Sequence, residues 1–212
     1  MKIVYSHLLN FLEQEPKLEE LSELLFQLGH EHEIDGEVLD MEITPNRGDC
    51  LSLKGLARDL NYFYQAKELP KSDMELPELN LQFANKAQEL CPNISFMQIE
   101  IEQVPVKYKP YLEAYFTDLG IKKNNFFTDI SNYLAYESGQ PTHCFDQNIM
   151  QGHFTLAKKD HKTKFKTLLG NEIELTDENL VFLLDDEVIS LAGIMGGAST
   201  ACSTSTTRVL VE

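Results

Sequence analysis

Phe154-Thr155-Leu156-Ala157, Phe165-Lys166-Thr167-Leu168, Ile173-Glu174-Leu175, Leu180-Val181-Phe182-Leu183-Leu184, Val188-Ile189-Ser190-Leu191-Ala192 and Val209-Leu210-Val211 are short apolar runs separated by turns. Runs of this length read as strands, and Leu169-Gly170-Asn171-Glu172 between two of them reads as a hairpin tip. Upstream the pattern differs. Ile94 to Ile101 is β-like, Tyr111 to Leu119 has helical spacing and is stopped by Gly120, and a further helix over about Asp129 to Ser138 ends at Gly139. Helices followed by many short strands predict a mixed α+β domain rather than alternating βαβ units.

Working outward to the N-terminus, Leu8, Phe11 and Leu12 predict a short helix, and Leu18, Leu21, Leu24, Leu25 and Leu28 a second one stopped by Gly29. Val38 to Ile43 alternates like a strand and runs into the turn formers Pro45, Asn46 and Gly48. Ser52 or Asp49 can then cap a helix that turns Leu53, Leu56, Ala57 and Leu60 toward a core. Residues 1–66 therefore read as a small α/β module. Pro70, Pro77 and the charges between them mark 67–80 as a linker, and 81–212 as a mixed α+β domain with several short strands.

The 212 residues are 42% hydrophobic and 25% charged, a composition of globular proteins. No apolar run approaches the roughly 20 residues that span a bilayer, so the expected compartment is the cytoplasm, away from membranes. Cys50, Cys91, Cys144 and Cys202 lie far apart without a C-x-x-C pair and read as reduced thiols. The net charge of −16 argues against a surface that attracts nucleic acid everywhere, so any RNA contact must be local or shared with another chain. Lys158, Lys159, Lys162, Lys164 and Lys166 gather loosely, as on a solvated hairpin. Phosphate-binding loops, dinucleotide fingerprints, nucleophile elbows and H-E-x-x-H helices are absent from the sequence.

Three segments place polar residues in apolar surroundings. In Thr44-Pro45-Asn46-Arg47-Gly48-Asp49-Cys50 an Arg and an Asp crowd a turn, where local pairing accounts for both. In the second, the expected helix start carries Asp129, Ser131 and Asn132, and the loop after the same helix carries His143. A helix start exposes backbone N–H groups, and an imidazole can position water or accept a proton, although on spacing alone a lone His is more often a structural hydrogen-bonder. In the third, Gly193, Gly196 and Gly197 permit close approach of either a ligand or a neighbouring strand, and Glu212 closes the strand that follows.

In this order and spacing the segments resemble the β subunit of bacterial phenylalanine-tRNA ligase, an aminoacyl-tRNA synthetase. The resemblance runs through Glu42 to Ser52, Gly55 to Leu60, Asp129 to Tyr133, Gly139 to Asp146 and Ala192 to Gly197, and so covers nearly the whole chain. It implies the N-terminal module plus part of an editing domain that hydrolyses tyrosine wrongly esterified to the phenylalanine tRNA. By matching motifs it implies Ser131 and Asn132 near the ester, His143 beside the attacking water, the backbone at Gly196 and Gly197 against substrate, and Glu212 toward the tyrosine hydroxyl. It implies neither a metal nor a covalent nucleophile in this pocket. The implied partners are the 3′ aminoacyl end of tRNA and the α subunit, which makes the aminoacyl bond with ATP and magnesium. Departures accompany the match. The family's OB-type insertion is reduced to about Glu31 to Glu37, residues following Cys91-Pro92 lack the usual basic and aromatic character, Cys144 stands where Ala is common, and later pocket residues are missing. Hydrolysis by the chain alone is therefore expected to be weak or absent. A stand-alone trans-editing deacylase and a non-catalytic scaffold or RNA-binding module are the competing readings.

Overall fold

Alternation in Val38–Glu42 buries Leu39 and Met41 on one face, and in the computed structural model this strand (β3) is the centre of a three-stranded antiparallel sheet. Its neighbours are Lys2–Val4 (β1) and Glu31–Asp35 (β2). The structure describes residues 1–68, 75–159 and 161–212; positions 69–74 of the expected linker, including Pro70, lie outside the described residues. Helices Tyr5–Leu9 (α1), Leu18–Gln27 (α2) and Leu53–Tyr64 (α3) send Leu8, Leu21, Leu25, Leu53, Leu56 and Leu60 into one core with Ile3 and Leu39. Ser52 caps α3 as expected, its Oγ accepting the Gly55 N–H at 3.0 Å.

The turn between β3 and α3, Pro45–Cys50, contains the anticipated pair: Arg47 Nε donates to Asp49 Oδ1 at 3.1 Å. The network extends further than the local pair. Arg47 Nη2 also donates to Asp59 Oδ2 at 2.5 Å, Arg58 meets Asp49, and His30 Nε2 lies 3.0 Å from Asp59 Oδ2. These contacts bind the turn to α3 and to the chain following α2.

The described chain forms two compact units that interleave along the sequence, with one change of unit at Glu75/Leu76 and others further on. The first comprises Met1–Glu75, Val106–Asn124 and Asp129–Thr142. Helix Pro110–Asp118 (α4) brings Leu112, Tyr115 and Phe116 into its core, and helix Phe126–Ser138 (α5) brings Tyr136. The Tyr136 hydroxyl accepts the Val4 N–H at 3.1 Å and lies 3.1 Å from His7 Nδ1, whose other nitrogen faces Asp118. An aromatic cluster thus recruits segments that the sequence assigns to 81–212.

Helix α5 begins three residues before the expected Asp129. The Asn125 side chain accepts the Thr128 N–H at 3.1 Å and supplies the cap, so Ser131 and Asn132 lie in the second turn instead of at an open helix end. Asp129 is fully buried and accepts from the Tyr108 hydroxyl and the Asn124 N–H at 2.8 and 2.9 Å.

The second unit comprises Leu76–Pro105, Asn125–Thr128 and His143–Glu212 and holds the short strands. Phe83–Asn85 (β4) pairs in parallel with Phe154–Lys158 (β7), which continues antiparallel to Leu180–Leu184 (β10), Glu187–Leu191 (β11) and Met195–Gly196 (β12). Met97–Glu100 (β5), Arg208–Val211 (β13) and Cys144–Asp146 (β6) form a second sheet with β13 in the middle. Thr163–Lys166 (β8) and Glu172–Leu175 (β9) make the expected hairpin, with Lys162 and Lys164 paired to Glu174 and Glu172 on its surface. Phe145, Phe154 and Phe182 pack edge-to-face and stacked in a core that also takes in Ile189 and Leu210. The α+β class read from the short strands is the class observed.

Candidate functional site

The register of β6 on β13 pairs Phe145 with Leu210 and Cys144 with Val211. One step further, the His143 N–H donates to the Glu212 carbonyl at 3.2 Å and the Glu212 N–H to the His143 carbonyl at 2.9 Å. Side chains alternate along a strand, so His143 and Glu212 project on the same face as Phe145 and Leu210. That face is the apolar core. The two ionisable residues therefore stand side by side where the core reaches its end.

The imidazole of His143 meets Phe145 edge-on, with ring centroids 4.5 Å apart at 83°. Its Nε2 is sealed from solvent and has no hydrogen-bond partner among the described residues. Burial pushes the imidazole below its usual pKa, which keeps it uncharged at neutral pH. The same burial pushes the Glu212 carboxyl up to about 7. A neutral base with an unused nitrogen and a carboxyl that can hold its proton near neutrality share one strand end.

Gly196 explains how the imidazole fits. A Cβ on Gly196 would sit 2.8 Å from His143 Nε2 and 2.7 Å from Leu168 Cδ1, and would overlap the imidazole Cε1. The glycine is required by the ring above it. Gly197 answers to a different neighbour. Its N–H donates to the Ile189 carbonyl at 2.9 Å, and a Cβ there would run into that same carbonyl and Phe165. Of the two uses open to these glycines, Gly196 serves the side chain of His143 and Gly197 the packing of strands. Leu168, which the sequence reading took as a strand residue, donates its N–H to the Gly196 carbonyl at 2.9 Å and walls the imidazole.

Ser131 and Asn132 belong to the first unit. The Ser131 hydroxyl donates to the Thr142 carbonyl at 2.7 Å and lies 2.8 Å from Thr142 Oγ1, so it fixes the residue that precedes His143 in the chain. Asn132 is exposed and borders a shallow groove with Met1, Leu51, Tyr115 and Tyr136. Cys144 faces Val211 on the side of β6 away from His143.

Residues 101–212, which carry His143, Gly196 and Glu212, match the family described as the B3/4 domain. The chain belongs to the B3/4 domain family. The match takes in α4 to β13, so this B3/4 domain draws on both compact units. Among curated proteins the chain is similar to the phenylalanine-tRNA ligase beta subunit of Psychrobacter arcticus, 30% identical over 187 residues that cover 84% of this chain and 23% of that protein. It is similar likewise to the beta subunit of Carboxydothermus hydrogenoformans, 35% identical over 188 residues covering 85% and 23%. The chain spans about a quarter of the length of the curated relatives it matches. An N-terminal fragment of the phenylalanyl-tRNA synthetase beta subunit from Pyrococcus horikoshii shares the fold, with a TM-score of 0.50 and 17% identity over 100% of this chain and 66% of that one. Among the described residues, no helix is long and apolar enough to cross a membrane.

Proposed function

We propose that this chain is the N-terminal and editing portion of a phenylalanine-tRNA ligase β subunit, and that its site at His143, Gly196 and Glu212 hydrolyses the ester of tRNA mischarged with tyrosine. The reading is carried by the buried, unpartnered Nε2 of His143 above Gly196. Water attacks the ester carbonyl as the imidazole takes its proton, and the C–O bond to the tRNA ribose then breaks as the imidazolium returns that proton to the leaving oxygen, releasing tyrosine and the free tRNA hydroxyl. Glu212 supplies the selection: its carboxyl hydrogen-bonds the phenol, and phenylalanine leaves that buried group unpaired. Ser131 acts by fixing Thr142.

On this reading the α subunit of a parent complex makes the aminoacyl bond with ATP and magnesium in the cytoplasm, and the tRNA presents its 3′ end to the present chain. Binding is the sharper test. Calorimetric titration of the chain with free tyrosine and phenylalanine should show tyrosine tighter by about tenfold, the value of one buried hydrogen bond. Equal affinities, or a preference that persists in Glu212→Ala, would remove the basis for the proposal.

A further inference from the structure

Away from His143, wholly within the first unit, three metal-ligating side chains of different chemistry meet. His30 follows α2, Cys50 ends the turn after β3, and Asp59 lies on α3. The His30 Nε2, Cys50 Sγ and Asp59 carboxylate oxygen all lie within 4.8 Å of one another. His30 Nε2 is 3.0 Å and Cys50 Sγ 3.5 Å from the same Asp59 Oδ2. A tetrahedral zinc ion with bonds of about 2.0 to 2.3 Å holds its ligand atoms roughly 3.3 to 3.6 Å apart, so small side-chain rotations complete the set. His30 is 2% and Cys50 0% exposed, so both donors are already fixed by packing. Asp49 Oδ2 is 3.6 Å from Cys50 Sγ but is held by Arg47 and Arg58, which leaves the fourth position to water.

A cation already sits among these donors. Arg47 Nη2 lies 2.8 Å from Cys50 Sγ and 2.5 Å from Asp59 Oδ2. The Arg47 side chain is partly open to solvent, however, and its Nε remains bonded to exposed Asp49 at 3.1 Å if Nη2 withdraws. We propose that His30, Cys50 and Asp59 form a site for a zinc-type dication, which enters by exchange with the Arg47 guanidinium. The exchange balances in charge. One dication arrives, while the guanidinium and the thiol proton leave and the neutral His30 ring carries its proton on Nδ1 instead of Nε2; the metal then faces imidazole, thiolate and Asp59, and Arg58 keeps Asp49. Imidazole and thiolate together select zinc or cobalt over magnesium and calcium, which require oxygen ligands.

The test is titration of the purified chain with Co2+ followed by absorbance, then competition with Zn2+. One equivalent should bind with a near-ultraviolet thiolate-to-cobalt band that Zn2+ abolishes and Mg2+ does not. Cys50→Ser should lose the band, and Arg47→Ala should tighten binding by at least about tenfold because no resident cation must leave. Cys50 is a core residue, so if circular dichroism shows that variant unfolded, Asp59→Asn at the rim decides by weakening binding to the same degree. A spectrum without the thiolate band, a band retained in Cys50→Ser, or Arg47→Ala binding no tighter than the parent overturns the site.

Discussion

His143 and Glu212 exchange both of their backbone hydrogen bonds, at 3.2 and 2.9 Å, and so face each other directly across an antiparallel pair. Burial moves their side chains in opposite directions, lowering the pKa of the imidazole and raising that of the carboxyl toward 7. Protonation of either is therefore linked to stability, with opposite sign.

For Glu212 the folded value lies above the unfolded one, so its contribution is fully present below the unfolded value of about 4.3 and is lost as pH rises through 7. Glu212→Gln should raise the stability of the chain at pH 8 by about 1–3 kcal/mol and leave it little changed at pH 5. Urea unfolding at the two pH values measures the difference.

The His143 imidazole behaves conversely, since a lowered folded value means that the unfolded chain binds the proton more readily. Its penalty is absent at pH 8 and grows as pH falls through the unfolded value of about 6.5. NMR titration of the intact chain should place the His143 ring below the ordinary imidazole value, and His143→Gln should remove that share of the acid destabilisation.

Gly196→Ala and Gly197→Ala should fail for different reasons. At Gly196 the added methyl meets side chains that can move, His143 and Leu168, so tyrosine binding should be lost with about 1–2 kcal/mol of stability. At Gly197 it meets the Ile189 carbonyl, which cannot move without breaking the strand pair, and the stability loss should be larger, about 2–4 kcal/mol. Equilibrium unfolding beside calorimetry separates the two.

Removing the Ser131 hydroxyl leaves the Thr142 carbonyl without its donor. Ser131→Ala should cost about 1 kcal/mol and speed amide exchange across 139–146 while leaving the exchange of β10 and β11 unchanged.

Asp129 is a harsher case. It is fully buried and serves two donors, so Asp129→Ala should remove the acceptor that the Tyr108 hydroxyl and the Asn124 N–H share and cost about 2–4 kcal/mol, read as a drop in Tm.

The short strands were readable because Phe154, Phe165, Val181 and Ile189 each stand in an apolar run bounded by turn formers, a local signal. Strand β2 was not, since Glu31-His32-Glu33-Ile34-Asp35 is acidic and buries one residue; only its pairing with β3 makes it a strand. The start of α5 was displaced because Phe126 and Phe127 look like a strand or loop until Asn125 is seen to cap them. Arg47 and Asp49 were legible as a local pair, whereas Asp59 and His30 joined them only through packing of α3 and the chain after α2. The His143 partner could not be read from spacing. Its register opposite Glu212 is a property of β6 and β13, strands separated by all the hairpins between them.

That separation has a consequence for synthesis on the ribosome. β13 is the middle strand of its sheet yet follows both neighbours in the chain, and Arg208 reaches back 108 positions to Glu100. Until it emerges, β5 lacks its sheet partner and β6 can pair only with Thr200 and Ala201, so the nascent polypeptide must carry unmated strand edges while the β7, β10 and β11 meander can already close. The strand that delivers Glu212 is thus a keystone, and holdase chaperones should engage translation intermediates stalled short of it far more than those stalled beyond it.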